Sequence, residues 1–159
     1  MAADPEMNKT VHPASQIPWS STNDEFDELW ENHVEAGIPD ILETMFAQQL
    51  KHMQAYSEIG HTTNPEHWGD LDSRVTQASL REFASYTVEE LYEAINNLKN
   101  KPWKQTDKPT DVEAFKEELA DMWHFLIEFH IIAGLSPIDV FKEYFRKAFI
   151  NGNRIVSGY

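Results

Sequence analysis

The sequence predicts an all-α protein, a bundle of about five helices, and three observations predict it. From Asn23 onward the apolar residues recur at helical spacing with no strand alternation. Capping and stop signals cut the text into helix-sized pieces. No internal repeat or low-complexity tract offers another architecture. At 159 residues, 41% apolar and 12% aromatic, the chain is long enough for one domain with a real core and too hydrophobic to be read as disordered.

Residues 1–22 are rich in Pro, Ser and Thr without a sustained period, and are expected to form a mobile N-terminal arm, leaving residues 23–159 as the folded domain. A short acidic helix is expected over 24–35, ended by Gly37 and Pro39. Asp40 and Glu43 make a capping-box pattern that opens a second helix, running to about residue 59. Residues 60–69 read as a loop, and a long helix follows over 71–100. Pro102 and Pro109 bracket a polar loop. Thr110 and Glu113 form the next capping-box signature, opening a helix that should stop at Gly134. Ser136, Pro137 and Asp139 read as N-cap, first-turn Pro and an acid near the start of a last helix, which runs to about Asn151.

Charge narrows the function classes. Asp and Glu number 27 against 13 Lys and Arg, a formal net charge of −14. A binder of polymeric nucleic acid would need a basic face to displace phosphate counterions, so that class is not expected. The chain has no cysteine, which excludes disulfides and thiolate metal sites, and any metal must be held by carboxylates, histidines or amides. No apolar run approaches the roughly 20 residues of a membrane span, and the N-terminus lacks the apolar segment of a signal peptide. A cytoplasmic protein with no membrane partner is expected.

Two helices carry the same acid pattern. Winding the fourth expected helix at about 100° per residue puts Phe129, Met122, Phe115, Leu126, Leu119, Trp123 and Ile127 in an arc beginning beside Glu118. Asp121 lies about 60° to the other side, with His124 a further step round. The third expected helix repeats this arrangement: Ala94, Leu98, Leu91, Ile95 and Val88 fill an arc starting beside Glu90, with Glu93 about 60° to the other side and Asn97 between the two acids. Packing the two seams together would gather four carboxylates. Such a cluster is costly unless a cation neutralises it, and a hard divalent ion with oxygen ligands, magnesium above all, fits. The alternative for either pair alone is an ordinary solvated acid stripe.

The cations are distributed unevenly. No Lys or Arg occurs between Lys9 and Lys51, whereas Lys99, Lys101, Lys104 and Lys108 fall in one loop and Lys142, Arg146, Lys147 and Arg154 near the C-terminus. Such islands in an acidic chain fit local anion binding. Lys147, Asn151 and Arg154, spaced at four and three, share a face if the last helix reaches them; helix C-terminal charge compensation is the plainer reading.

The strings EELYEAINNLKNKPWK, EELADMWHFLIEFHIIAGLS and RKAFINGNRIVSGY resemble the all-α dimeric dUTPase group, nearest to the dCTPase-dUTPase enzymes of tailed phages, within a superfamily that includes the MazG-type nucleotide pyrophosphohydrolases. The resemblance implies a homodimer that hydrolyses a deoxypyrimidine triphosphate, dUTP or dCTP, to the monophosphate and pyrophosphate with two or more magnesium ions. It implies that Glu90, Glu93, Glu118 and Asp121 bind metal and that Glu90 or Glu93 also orients the attacking water. It assigns Lys147, Asn151, Arg154 and, in the PWK element, Trp103 and Lys104 to the substrate, and Gln48 or Gln49 to the base; His124 falls beside the site. Asn100 departs from the family pattern, standing where relatives often carry an aromatic residue, and bears on base selectivity. Two rival readings stand: a MazG-like house-cleaning pyrophosphatase of other base specificity, and a non-catalytic helical dimer whose acids only solubilise it.

Overall fold

The computed structural model describes residues 22, 24, 25, 28, 40–58, 60, 64–99, 103 and 109–158. Among the described residues there are four α-helices and no strand: α1 (Asp40–Glu58), α2 (Arg74–Asn96), α3 (Val112–Ile132) and α4 (Pro137–Val156). The all-α class is therefore correct. Of the acidic helix expected over 24–35, Asp24, Glu25 and Glu28 are helical, and the remainder lies outside the described residues, as does the arm but for Thr22. Thr22 and Glu25 form a reciprocal capping box at that helix start, the Glu25 N–H donating to the Thr22 hydroxyl at 3.3 Å and the Thr22 N–H to the Glu25 carboxylate. The chain divides into two compact units, one from Thr44 to Ser136 and one that includes the helix from Pro137 onward.

Within the first unit, α2 starts later than the pattern predicted. Asp70 accepts from the backbone N–H groups of Asp72 (3.1 Å) and Ser73 (3.2 Å), and this turn delays the helix until Ser73 caps it. A 3-10 turn at Pro65–His67, capped by Asn64, precedes it. The start of α3 also differs in detail. Asp111 is the N-cap, accepting from Ala114 N–H at 3.1 Å, while the Thr110 hydroxyl accepts from Lys99 N–H at 2.9 Å. Thr110 is thus recruited across the chain, and its neighbour takes over the cap. Together with the Asp111 N–H donating to the Asn97 carbonyl at 3.0 Å, this fastens the end of α2 to the start of α3, so the two helices run back along each other.

Gly134 ends α3 as expected, at φ 76°. Leu135 N–H reaches the His130 carbonyl and Gly134 N–H the Ile131 carbonyl, both at 2.9 Å, the paired bonds of a Schellman cap. The core of this unit joins Met53 of α1, Phe83 of α2 and Ile132 of α3, with Trp68, Leu80, Tyr86, Phe125 and Phe129 packed round them. In the second unit Phe149 of α4 is buried against Ile138, Phe141, Phe145 and Ile150. Helix α4 continues to Val156, five residues beyond the expected end, which puts Lys147, Asn151 and Arg154 on one helix at four and three. Among the described residues, no single helix is long and apolar enough to cross a membrane.

Candidate functional site

The fastening of α2 to α3 decides which acids meet. Glu90 lies seven residues before Asn97 and Glu118 seven after Asp111, so each stands about 10 Å from the junction and the two are level. Asp121 is one turn further along α3. Carboxylate oxygens of Glu90, Glu118 and Asp121 all lie within 4.8 Å of one another. Glu93 stands outside this set. It is four residues from the junction against ten for Asp121, a separation of about 9 Å along the axes. Four carboxylates were expected to converge, and three of them do.

Glu90 and Glu118 are half-buried, Asp121 and Glu93 exposed. Burial pushes the Glu90 carboxyl above its ordinary value of 4.5, and the charge of Glu93, a hydrogen bond with Glu118 and the charges of Asp121 and Glu118 add to the rise. Ionising Glu90 in this company is therefore unfavourable without a cation, and the donors of the cluster are hard oxygens. That set fits magnesium, which takes a few carboxylates and leaves other positions to water and phosphate. Among the described residues this is a group of acids placed to hold a metal ion.

A second feature lies on another face of α3. A cavity of about 390 Å³ is lined by Thr44, Met45, Gln48 and Gln49 of α1 and by Ala120, Trp123, His124 and Ile127 of α3. Trp123, in that lining, is 45% exposed. Both glutamines left open by the sequence reach this cavity, in different states. Gln48 is exposed, its amide nitrogen 2.9 Å from His52 Nε2. Gln49 is buried, its amide donating to Glu128 at 3.1 Å, while its oxygen lies 2.7 Å from His124 Nδ1. His124 in turn stacks on His52, ring centroids 6.0 Å apart. Asp121 and His124 are one turn apart on the same helix, and they link the acid cluster to the cavity.

Glu128 and Trp123 are the residues that sequence reasoning did not assign to the site. The winding carried the signal for the first, since Glu128 falls about 20° from Asp121 and about 40° from His124. Trp123 was placed in the apolar arc, and its exposure is visible only once α1 is in position. Of the remaining expected residues, Trp103 is 78% exposed and Lys104 lies outside the described residues. Lys147, Asn151 and Arg154 are exposed on α4, in the second unit.

A search of characterised proteins returns no match, and neither does a search of solved structures. A family model described as dUTPase matches residues 41–138, from the first turn of α1 to the start of α4. That span includes Gln48, Gln49, Glu90, Glu93, Glu118, Asp121 and His124, whereas Lys147, Asn151 and Arg154 lie beyond it. With more than half of its length matched, the chain belongs to the all-α dimeric dUTPase family.

Proposed function

We propose that the protein hydrolyses dUTP, with dCTP as a second substrate, to the nucleoside monophosphate and pyrophosphate in a magnesium-dependent reaction, controlling nucleotide pools in the cytoplasm of a phage-infected cell. Membership of the family supports dUTP hydrolysis and a nucleoside triphosphate pyrophosphatase in general terms. The observation that carries the finer reading is the approach of Glu90, Glu118 and Asp121 to within 4.8 Å, inside the matched span.

Glu90, Glu118 and Asp121 would hold magnesium, with Glu93 adjoining as a further acid for a second ion. When bound, magnesium offsets the charge of the triphosphate and lowers the pKa of water. Glu90 or Glu93 receives the proton of the attacking water. The water oxygen bonds to the α-phosphorus as the bond from that phosphorus to the pyrophosphate oxygen breaks, and pyrophosphate leaves. Trp123 supplies a stacking face for the pyrimidine in the cavity, a role that Asn100 cannot fill, and Gln48, Gln49 and His124 supply polar groups for its edge. On the family resemblance, Lys104, Lys147, Asn151 and Arg154 are assigned to the phosphates and Trp103 to the substrate with them. The working form is a homodimer. In its support, Val88, Leu91, Tyr92 and Ile95 are all at least 39% exposed along one side of α2.

The test is pyrophosphate release from dUTP, dCTP, dTTP, dATP and dGTP, each with and without magnesium. Release from dUTP and dCTP that requires the metal is expected. Release chiefly from purine nucleotides would favour a house-cleaning enzyme, and no release from any would favour a non-catalytic dimer; either overturns the proposal.

A further inference from the structure

Bonded to Gln49 of the cavity wall is a buried carboxylate, Glu128, that the proposed chemistry does not use. It is 5% exposed, and it accepts a hydrogen bond from Gln49, itself 4% exposed, across α1 and α3. The Gln49 atom 3.1 Å from the Glu128 oxygen is the amide nitrogen, so the NH2 group donates and Glu128 accepts. The amide oxygen then faces the other way, toward His124 Nδ1 at 2.7 Å. That oxygen carries no hydrogen, so Nδ1 must carry the proton. In the neutral ring Nε2 is left with the lone pair. Glu128 thus fixes the orientation of Gln49, and Gln49 fixes the tautomer of His124, which lines the cavity.

The geometry points to Glu128 as a positioning residue that sets base selectivity through this relay. The inference rests on the reading of the cavity as a pyrimidine site. Uracil and cytosine differ along one edge. At ring position 3 uracil has an N–H and cytosine a lone pair; at position 4 uracil has a carbonyl and cytosine an amino group. A wall of fixed hydrogen-bond polarity can pair with one ring and is mismatched to the other, whereas a wall whose amide can turn over accommodates both. A His124 Nε2 left as an acceptor pairs with the N3–H of uracil and opposes the N3 lone pair of cytosine, so the polarity held by Glu128 matches uracil and disfavours cytosine.

The experiment compares kcat and KM of the full-length protein and Glu128→Gln on dUTP and dCTP with magnesium. Glutamine keeps the volume of Glu128 but can donate as well as accept, so the Gln49 amide is released. The ratio of kcat/KM for dUTP over dCTP is expected to fall by about tenfold or more, through KM rather than kcat. An unchanged ratio in a variant with native circular dichroism overturns the proposal. A measurement on the unmodified protein stands independently of whether that variant folds. Imidazole nitrogen NMR shifts should show His124 protonated on Nδ1 and not on Nε2 at pH 7.5, and the opposite tautomer would overturn it. If the unmodified protein hydrolyses neither dUTP nor dCTP, the functional reading fails while the tautomer still reports on the relay.

Discussion

Glu90 carries its carboxyl into a half-buried position beside three other acids, and its pKa is raised by that burial and by those charges. In the unfolded chain the same carboxyl titrates at its ordinary value. The folded state therefore holds the proton more tightly, so the group's contribution to stability is present below the ordinary carboxylate range and is lost as pH rises through the raised folded value. At neutral pH the ionised Glu90 is a cost to the metal-free protein. Glu90→Gln is accordingly expected to raise Tm in EDTA at pH 7.5, with a smaller gain at pH 4, while abolishing hydrolysis; calorimetry at the two pH values reads the difference, and a lower Tm at pH 7.5 would contradict it. Glu118→Gln removes a ligand at nearly constant volume. Its activity should drop by about a hundredfold or more, and its helical circular dichroism should be retained. Full activity in that variant would remove Glu118 from the metal site. The phase of these acids was legible in the sequence because helix winding is a local property. The Gln49 to Glu128 bond was not, because it joins residues 79 apart and only tertiary packing decides which polar neighbour a stripe meets.

Helix ends were legible to within a few residues wherever a local signal acted alone. Pro137 and Gly134 mark a start and a stop where expected, since a fixed φ and a left-handed φ are properties of single residues. The signal failed where the chain supplied a competing partner: Thr110 bonds to Lys99, so Asp111 caps α3. The C-terminus of α3 makes the sharpest demand on one residue. Gly134 sits at φ 76°, and a Cβ placed there would be 2.7 Å from the Gly69 Cα, while the Gly69 N–H donates to the Ile132 carbonyl at 2.9 Å. A side chain at 134 must therefore displace backbone as well as adopt an unfavourable φ. Gly158 has the same φ with nothing within 4 Å. Gly158→Ala is expected to cost about 1 kcal/mol or less and Gly134→Ala about 2 kcal/mol or more, measured by urea denaturation. Equal losses would show that the loop carrying Gly69 yields to the methyl group.

At the scale of the molecule, net charge and the exposed side of α2 pull in opposite directions. Val88, Leu91, Tyr92 and Ile95 occupy about 10 Å of helix and are each at least 39% exposed, an apolar stripe that the other described residues leave open. A second copy placed on it would bury this stripe, but each copy carries −14, so association has to overcome like-charge repulsion. Salt screens that repulsion over a Debye length of about 10 Å at 0.1 M and leaves apolar contact intact. The proposed homodimer should therefore be tighter at 0.5 M NaCl than at 20 mM, the reverse of an assembly held by ion pairs. Sedimentation velocity across a dilution series at both salt concentrations measures this directly. Leu91→Lys with Ile95→Lys should shift the protein to monomer at every concentration tested without loss of helical circular dichroism, because both side chains are exposed in the single chain and contribute little to its own core. A wild-type protein that sediments as a monomer throughout, or a double variant that stays dimeric, would remove this face of α2 from the interface.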